Sequence, residues 1–280
     1  MSDGVKANDG QGTLWNGAAG QAWVASQGLL DGLLRPFEDL LVRAVADVRA
    51  RTVVDVGCGA RGTTLAAART VGANGHCTGL DISAPMIEAA RARAAQEGVT
   101  VDFVRGDAQT MALPPSTFDM IISRFGVMFF EDPVQAFANL RKACREGGAM
   151  CVIAWRSADE NPFLTAAEKA AVSVLPDAVL RRPGGPGPFA FADPDVVRRV
   201  LVDSGWADVD ITPVDAPCVM PESALVSYFT SIGPLGTVFR EADDSTRTRL
   251  IEVVRPAFDP YVHGDEVRFD AACWVIRAKT

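Results

Sequence analysis

From about residue 51, short apolar runs alternate regularly with helical segments. Apolar runs of strand length predict strands at 53–56, 76–80, 101–104, 120–123 and 151–155. The segments between them predict helices at 63–71, 84–97 and 133–145, the last two preceded by Ser83 and Asp132 as N-caps. Strands separated by helices form parallel sheets with right-handed crossovers, so this half of the chain predicts a doubly wound α/β fold.

The two ends of the chain are less regular. Residues 1–12 are polar and rich in glycine and predict a disordered tail, and 13–50 predict N-terminal helices at 18–33 and 36–50. After Trp155 the pattern predicts helices at 163–175, 194–204, 222–231 and 245–258, strands at 209–214 and 266–279, and a mobile Pro/Gly-rich loop at 181–191. We therefore expect one domain over 51–280 with a seven-stranded, mostly parallel sheet. Lid segments are expected at 156–192 and 217–263, the second inserted before the last strand.

Net charge limits the range of partners. The 280 residues carry 27 basic and 35 acidic side chains, a formal net charge of −8. Such a surface repels phosphate backbones, so we expect no nucleic-acid partner. No apolar run is long enough to span a bilayer or to form the core of a signal peptide, so we expect a cytoplasmic monomer or homodimer without a membrane partner. The six cysteines lack the spacing of a zinc site, which favours reduced, packed thiols and no bound metal.

A glycine loop follows the first predicted strand. Residues 53–62 read Val-Val-Asp-Val-Gly-Cys-Gly-Ala-Arg-Gly, and Asp81 ends the next apolar run, where a ribose would sit. Glycines in such a loop let the backbone approach a nucleoside closely. The same spacing fits dinucleotide-binding dehydrogenases, or simple tight packing of a strand on a helix. Asp55 instead favours a ligand with positive charge, such as S-adenosylmethionine with its ammonium and sulfonium groups.

Four spaced segments resemble the motifs of class I S-adenosylmethionine-dependent methyltransferases, specifically the ubiquinone/menaquinone-type small-molecule branch. The segments are 55–59, 79–86, 106–108 and 118–129, and 15–23 resembles an N-terminal segment that folds over the cofactor in that branch. The resemblance covers Trp15 to about Trp155 and implies a Rossmann-like sheet with the N-terminal helices over the cofactor. Arg61 is a departure, because the family often has a third glycine there.

The resemblance also implies which residues form the site. Asp81 would hold the ribose hydroxyls, and Asp107 with the amide of Ala108 would meet the adenine. The residues expected to contact the cofactor are Trp15, Trp23, Asp55, Gly57, Cys58, Gly59, Thr63, Asp81, Ile82, Met86, Gly106, Asp107, Ala108, Ser123 and Phe125. Those expected to line an apolar acceptor pocket are Met128, Phe129, Phe189, Tyr228 and Phe229. Trp15 and Trp23 fit a role as packing anchors equally well.

The implied activity is in-line transfer of a methyl group from S-adenosylmethionine to a small, largely apolar acceptor, with S-adenosylhomocysteine as product. Oxygen, carbon and nitrogen acceptors all fit. His263 is the candidate base, since it alone titrates near neutral pH outside the cofactor half. Arg124 follows a strand where an acceptor anion would dock, although a solvated salt bridge fits equally well. So few bases favour catalysis by positioning. A protein that binds this cofactor without transferring its methyl group would show the same cofactor residues.

Overall fold

One mixed sheet organises the chain. The computed structural model describes residues 8–60, 62–175 and 185–280. The strands are β1 (Thr52–Val56), β2 (His76–Asp81), β3 (Asp102–Arg105), β4 (Phe118–Arg124), β5 (Cys144–Trp155), β6 (Ala207–Pro221), β7 (Val262–His263) and β8 (Glu266–Lys279). Their order is 3-2-1-4-5-8-6, and the two-residue β7 pairs with β8 outside that path. β1 to β5 pair in parallel and β8 runs antiparallel to β5 and β6, so the predicted doubly wound, mostly parallel sheet is confirmed.

Helices connect the strands and cover one end of the sheet. They are α1 (Asp9–Asn16), α2 (Ala18–Ala25), α3 (Gln27–Leu33), α4 (Arg35–Asp47), α5 (Thr63–Val71), α6 (Ala84–Glu97), α7 (Pro133–Ala143), α8 (Pro162–Ala171), α9 (Pro194–Asp203), α10 (Leu225–Ser231), α11 (Gly233–Glu241) and α12 (Asp244–Val254). Short 3₁₀ turns occupy Val127–Phe129, Glu222–Ala224 and Arg255–Tyr261. α5 and α6 have the predicted bounds. The predicted N-caps are present, because Ser83 and Asp132 accept the amides of Met86 and Gln135.

The predicted disordered tail is wrong for the part that the structure describes. α1 begins at Asp9, and its C-terminal end is attached to the loop between β2 and α6. Asn16 donates to the carbonyl of Ile82 at 3.1 Å and accepts the amide of Ala84 at 2.8 Å, while the Ser83 hydroxyl donates to the carbonyl of Trp15 at 2.6 Å. These long-range bonds order a helix whose polar, glycine-containing sequence has a low helix propensity of its own. Residues 1–7 lie outside the described part.

The two strands that pair with β8 in the main sheet, β5 and β6, are longer than the strands predicted from the apolar runs. β5 begins at Cys144 rather than 151, and β6 extends from Ala207 to Pro221 rather than from 209 to 214. β6 lies at the edge of the sheet and alternates exposed and buried residues over its second half. Many of its exposed positions are polar residues or prolines, so the search for apolar runs predicted too short a strand. The second lid segment is therefore shorter than predicted: 217–221 belong to β6 and 262–263 to β7.

The lid region contains a helix that the sequence did not predict. α11 follows α10 after a single residue, and α12 ends at Val254 rather than at 258. The predicted mobile loop 181–191 lies partly outside the described residues, and its described part forms turns. In the part of the chain that the structure describes, no helix is long and apolar enough to cross a membrane.

Candidate active site

A cavity of about 1550 Å³ lies at the carboxyl ends of the parallel strands. Residues that end or follow β1, β2, β4 and β5 form one side of its wall. Doubly wound sheets bind their ligands at this edge. The volume exceeds the roughly 300–1,000 Å³ of most single-ligand pockets. The cavity therefore has room for two ligands side by side.

The loop after β1 presents bare backbone to this cavity. Gly57 and Gly59 have φ angles of +66° and +57°, which glycine adopts without strain. A Cβ on Gly57 would lie 2.7 Å from the Cα of Gly126, so no larger residue fits where the two loops cross. The amides of Gly57 and Cys58 donate to the carbonyl of Leu80 at 2.8 and 3.1 Å and fix the loop on β2. Arg61, where the motif departs from the family pattern, lies outside the described residues.

Asp81 ends β2 with a carboxylate that is held from two sides. Oδ2 accepts the amide of Gly59 and Oδ1 accepts the amide of Ser83, both at 2.8 Å. The residue is 8% exposed and lines the cavity. Ile82 and Met86, which follow Asp81, line the same wall.

The segment after β3 lies beside Asp81. The amide of Gly106 donates to the carbonyl of Asp81 at 2.9 Å, which joins the second and third predicted motifs. Asp107 accepts the amide of Gln109 at 2.9 Å and the hydroxyl of Thr110 at 3.2 Å. This local turn holds the Asp107 carboxylate in place, and Gly106, Asp107 and Ala108 all line the cavity.

The N-terminal helices contribute two tryptophans to the wall. Trp15 and Trp23 meet edge to face with 5.6 Å between ring centroids, and Trp15 meets Phe129 in the same way at 5.5 Å. All three residues line the cavity. Since α1 is also bonded to the loop after Asp81, these helices cover the cavity where the cofactor motifs lie.

Phe125 and Trp155 form a stacked pair in the wall. Their rings are parallel with centroids 4.2 Å apart, and Phe37 packs edge to face on Phe125 at 5.2 Å. Phe125 has a φ of +63°, a strained conformation for a residue with a Cβ that costs about 1–3 kcal/mol. The stacking on Trp155 stabilises this strained backbone conformation, and Phe125 lines the cavity. Strained residues are common at functional sites.

The other side of the cavity is largely aromatic. Phe163 stacks on Phe269 at 3.8 Å, Phe229 stacks on Phe258 at 5.6 Å, and Tyr228 lies 5.6 Å from Phe163. Met128 and Phe189, both predicted for the acceptor pocket, line the cavity as well. The charged side chains on this side are Glu168 of α8 and Arg240 of α11. Cofactor-type motifs and an apolar aromatic chamber thus belong to one cavity.

Four predicted cofactor residues lie behind the wall instead of in it. Asp55 is 1% exposed, and its Oδ2 accepts the hydroxyl of Thr64 at 2.7 Å. The Ser123 hydroxyl donates to the carbonyl of Val56 at 2.6 Å, and Thr63 is buried at the start of α5. None of these side chains lines the cavity. Asp55 therefore bonds to the first turn of α5 and does not line the cavity, and its expected action on the positive end of the cofactor, directly or through water, stays a prediction.

Cys58 is the fourth of these residues. Its side chain points into a small cluster with Leu65, Ile87 and Phe103, away from the cavity. Burial, together with the nearby carboxylates of Asp81 and Asp55, holds the pKa of the Cys58 thiol well above its usual range. The side chain is therefore a packed, protonated thiol.

Neither predicted catalytic residue faces the cavity. Arg124 is 3% exposed and lies beneath the N-terminal helices, where it donates to Asp31 at 3.0 Å and to the carbonyl of Leu34 at 3.3 Å. Its charge is thus engaged in the core and does not meet an acceptor. His263 is exposed on β7, and its backbone lies opposite that of Glu266 in the antiparallel pairing of β7 with β8. The positions of the two side chains lend no support to either role, because strand position alone does not tell which way a side chain points.

Several lining residues were missed by the sequence analysis. Phe163, Leu164, Ala167 and Glu168 recur at helical spacing on one face of α8, a pattern that was available but does not distinguish a cavity wall from core. Arg240 lies in α11, a helix that was not predicted. No local signal marked it.

Comparisons with known proteins agree with the cofactor half of the site. Residues 53–148 match a family model described as a methyltransferase domain. An uncharacterized protein of Mycobacterium tuberculosis is 34% identical over 127 residues, which are 45% of each chain, so the match spans about half of that relative. The demethylmenaquinone methyltransferase of Renibacterium salmoninarum is 26% identical over 64% of this chain and 76% of its own length.

The fold has counterparts among solved structures. The YcgJ protein of Bacillus subtilis superposes with a TM-score of 0.56 over 87% of this chain and 97% of its own, at 18% identity. Identity at that level supports the architecture alone. Residues 53–148 of this chain are thus similar to a methyltransferase domain, and the fold as a whole shares the architecture of the YcgJ protein.

Proposed function

We propose that the chain transfers a methyl group from S-adenosylmethionine to a small, largely apolar acceptor. The observation that carries this proposal is that one cavity contains both the cofactor motifs and an aromatic chamber. The glycine loop, Asp81 and Asp107 occupy one side, and the stacked rings around Phe163 occupy the other. A cofactor and an acceptor bound there would be direct neighbours.

The residues present fit this cofactor. Gly57 and Gly59 line the cavity without side chains, so a nucleoside can approach the backbone of this loop closely. The Asp81 carboxylate is held by two amides and lines the cavity, so in this proposal it accepts the ribose hydroxyls. Asp107 and the amide of Ala108 receive the adenine, and Trp15 covers it.

The bound cofactor supplies a methyl group activated by its attachment to a sulfonium. The contribution of the chain is to position the acceptor and to exclude water. Precise alignment of two reactants lowers the barrier by up to about 7–11 kcal/mol, so positioning can supply most of the rate. Neither of the two histidines lines the cavity, which supports a mechanism without a histidine base.

Lid helices and N-terminal helices enclose the acceptor in this proposal. α11 packs against both α2 and α8, so the region between β6 and β8 meets the N-terminal region over the cavity. For the acceptor to enter, these contacts must open, and their closure removes water from the reacting atoms. The segment 156–175 contributes α8 to the same enclosure.

An apolar, ring-containing acceptor is the best match to the chamber. Five aromatic rings, from Phe163, Tyr228, Phe229, Phe258 and Phe269, pack against one another in it. The similarity to a demethylmenaquinone methyltransferase supports assignment to the ubiquinone/menaquinone-type branch as part of this proposal.

The proposal is tested by a methyl-transfer screen. Purified protein is incubated with methyl-tritiated S-adenosylmethionine and a panel of phenols, quinols and aromatic acids, and products are identified by mass. We expect transfer to at least one ring-containing acceptor, and loss of transfer in the Asp81→Ala variant. Tight binding of S-adenosylhomocysteine with no transfer to any panel member would favour a protein that binds the cofactor for another purpose. Absence of S-adenosylhomocysteine binding would refute the proposal.

A further inference from the structure

Arg240 contributes a cation to the largely aromatic side of the cavity. Among the described residues that line the cavity, it is the only arginine or lysine. The side chain is partly buried at the C-terminal end of α11. A guanidinium beside aromatic walls interacts more strongly with an anion than it would in water, because the local dielectric constant is lower.

The contacts of Arg240 leave its charge unbalanced. Its Nη1 donates to the carbonyl of Ser231 at 3.4 Å and its Nη2 to the hydroxyl of Thr237 at 3.1 Å, and both partners are neutral and line the cavity. Within the described part of the chain, no carboxylate lies within 4 Å of it. A guanidinium has five N–H donors, so most of them remain for a ligand.

The backbone that carries Arg240 is firmly held. Arg247 of α12 donates to the carbonyls of Phe239 and Arg240 at 2.9 and 2.7 Å and so fixes the end of α11. At the other side, a Cβ on Gly236 would lie 2.4 Å from the carbonyl of Ser231, so α10 and α11 pack with backbone in contact. This packing brings the Ser231 carbonyl within reach of the guanidinium. The geometry is that of a prepared anion subsite.

One acidic side chain, Glu168, also lines this side of the cavity. Glu168 of α8 lies 3.8 Å from the Cβ position of Gly233, at the N-terminal end of α11, where a helix favours negative charge. It forms no ion pair with Arg240 in the described structure. An anionic ligand in the cavity would therefore be able to balance the charge of Arg240.

We propose that the methyl acceptor is an aromatic monocarboxylate and that Arg240 binds its carboxylate. This inference rests on the proposed function, whose acceptor chamber it specifies. A planar guanidinium matches the two oxygens of a carboxylate, and a single cation balances one negative charge, whereas a phosphate dianion would remain half neutralised. The rings around Phe163 and Phe229 bind the apolar part of the acceptor. Arg240 thereby determines which end of the acceptor faces the cofactor motifs.

The test compares an acid with its neutral counterpart. Binding of 2-naphthoate and 2-naphthamide is measured by calorimetry in the presence of saturating S-adenosylhomocysteine, with the full chain. We expect the wild-type protein to bind 2-naphthoate about tenfold or more tightly than the amide, as a charge-assisted bidentate contact provides. Arg240→Gln should reduce this preference to about twofold or less. Arg240→Lys should reduce it to an intermediate value, because lysine keeps the positive charge but lacks the planar pair of N–H donors that matches a carboxylate.

Arg249→Gln is the matched control, since Arg249 is exposed on α12 outside the cavity and its loss changes the net charge equally. It should keep the preference for the acid. Equal affinity of wild-type protein for the two compounds, including no measurable binding of either, would overturn the proposal, as would a preference that survives in Arg240→Gln. The wild-type comparison decides even if the glutamine variant does not fold. Failure of S-adenosylhomocysteine to bind would be seen separately in the same titrations and would refute the proposed function instead.

Discussion

Replacing Asp81 with alanine removes a carboxylate that holds two backbone amides and that, in the proposed function, also binds the cofactor. It accepts the amides of Gly59 and Ser83, and in the proposed function it also accepts the ribose hydroxyls. The variant should therefore lose both stability and cofactor affinity. A suitable control must lose stability in the same way without touching the cavity.

Asp119 provides that control at the opposite end of the sheet. Its carboxylate accepts the amides of Arg51 and Thr52 at 2.6 and 3.1 Å, and the residue is 6% exposed, compared with 8% for Asp81. It lies at the beginning of β4 and does not line the cavity. Each aspartate thus accepts two backbone amides, and Asp119 also pairs with Arg145 at 2.7 Å, so its alanine variant should lose at least as much stability.

The magnitudes follow from these contacts. Each hydrogen bond to a charged group contributes about 1.5–3 kcal/mol, so losing two should destabilise either alanine variant by about 3 kcal/mol or more. At about 2–4 °C per kcal/mol, both variants should melt roughly 6–12 °C lower than the wild type. Only Asp81→Ala should bind S-adenosylhomocysteine about 10- to 100-fold more weakly, which corresponds to about 1.4–2.8 kcal/mol.

Calorimetric titration and thermal melting measure the two effects separately. A second ligand distinguishes a direct ribose contact from a displaced loop: wild-type protein should bind 2′-deoxy S-adenosylhomocysteine about tenfold more weakly than the parent compound, and Asp81→Ala should bind both equally. Unchanged affinity in folded Asp81→Ala would refute the reasoning. An equal loss of affinity in Asp119→Ala would also refute it, because the effect would then reflect global stability.

Three further outcomes follow from the structure. His263→Ala should lower turnover less than about tenfold, since the side chain is exposed outside the cavity, whereas removal of a true general base would cost about 10²- to 10⁴-fold. Gly126→Ala should weaken S-adenosylhomocysteine binding, because the new Cβ would lie 2.6 Å from the Val56 carbonyl and 2.9 Å from the Gly57 Cα; unchanged affinity and melting would contradict the proposed loop geometry. Burial raises the pKa of the Asp119 carboxyl, but hydrogen bonds from Arg51 and Thr52 outweigh it and hold the pKa below its usual value. The stability that Asp119 contributes is therefore present above about pH 3.9 and is lost as the pH falls through the lower folded value, so the difference in urea unfolding between wild type and Asp119→Asn should be constant near neutrality and shrink in acid.

The parallel half of the fold could be predicted from the sequence with little error. Its strands are buried on both faces and appear in the sequence as continuous apolar runs. The bounds of α6 are marked by Ser83 as the N-cap and by Gly98, whose φ is +63°, as the C-cap. β6 was predicted too short because an edge strand tolerates polar residues at every exposed position. α1 was predicted as disordered because its order comes from contacts with a loop about 66 residues away in the chain.

The sequence indicated which glycines and strand-end acids line the cavity, while their roles toward a ligand stay predictions. Gly57, Gly59, Gly106, Asp81 and Asp107 all line the cavity as expected, because glycine and strand-end aspartate have local requirements that are visible in the residue order. Asp55, Ser123 and Arg124 were assigned to the ligand, and their side chains lie behind the wall. A position at the end of a strand specifies an edge of the sheet, but it does not specify which neighbours a side chain meets.

The sequence by itself determined the doubly wound sheet, the glycine loop and the acids that follow β2 and β3, because these depend on periodicity and on conformational preferences of single residues. Only the tertiary structure decided what the loop faces. It brought α8, α10 and α11 to the cavity, packed five rings into one chamber, placed Arg240 in the wall of the same cavity, and left His263 outside. Such contacts join residues far apart in the chain, and their free energy comes from packing and charge that no local pattern records.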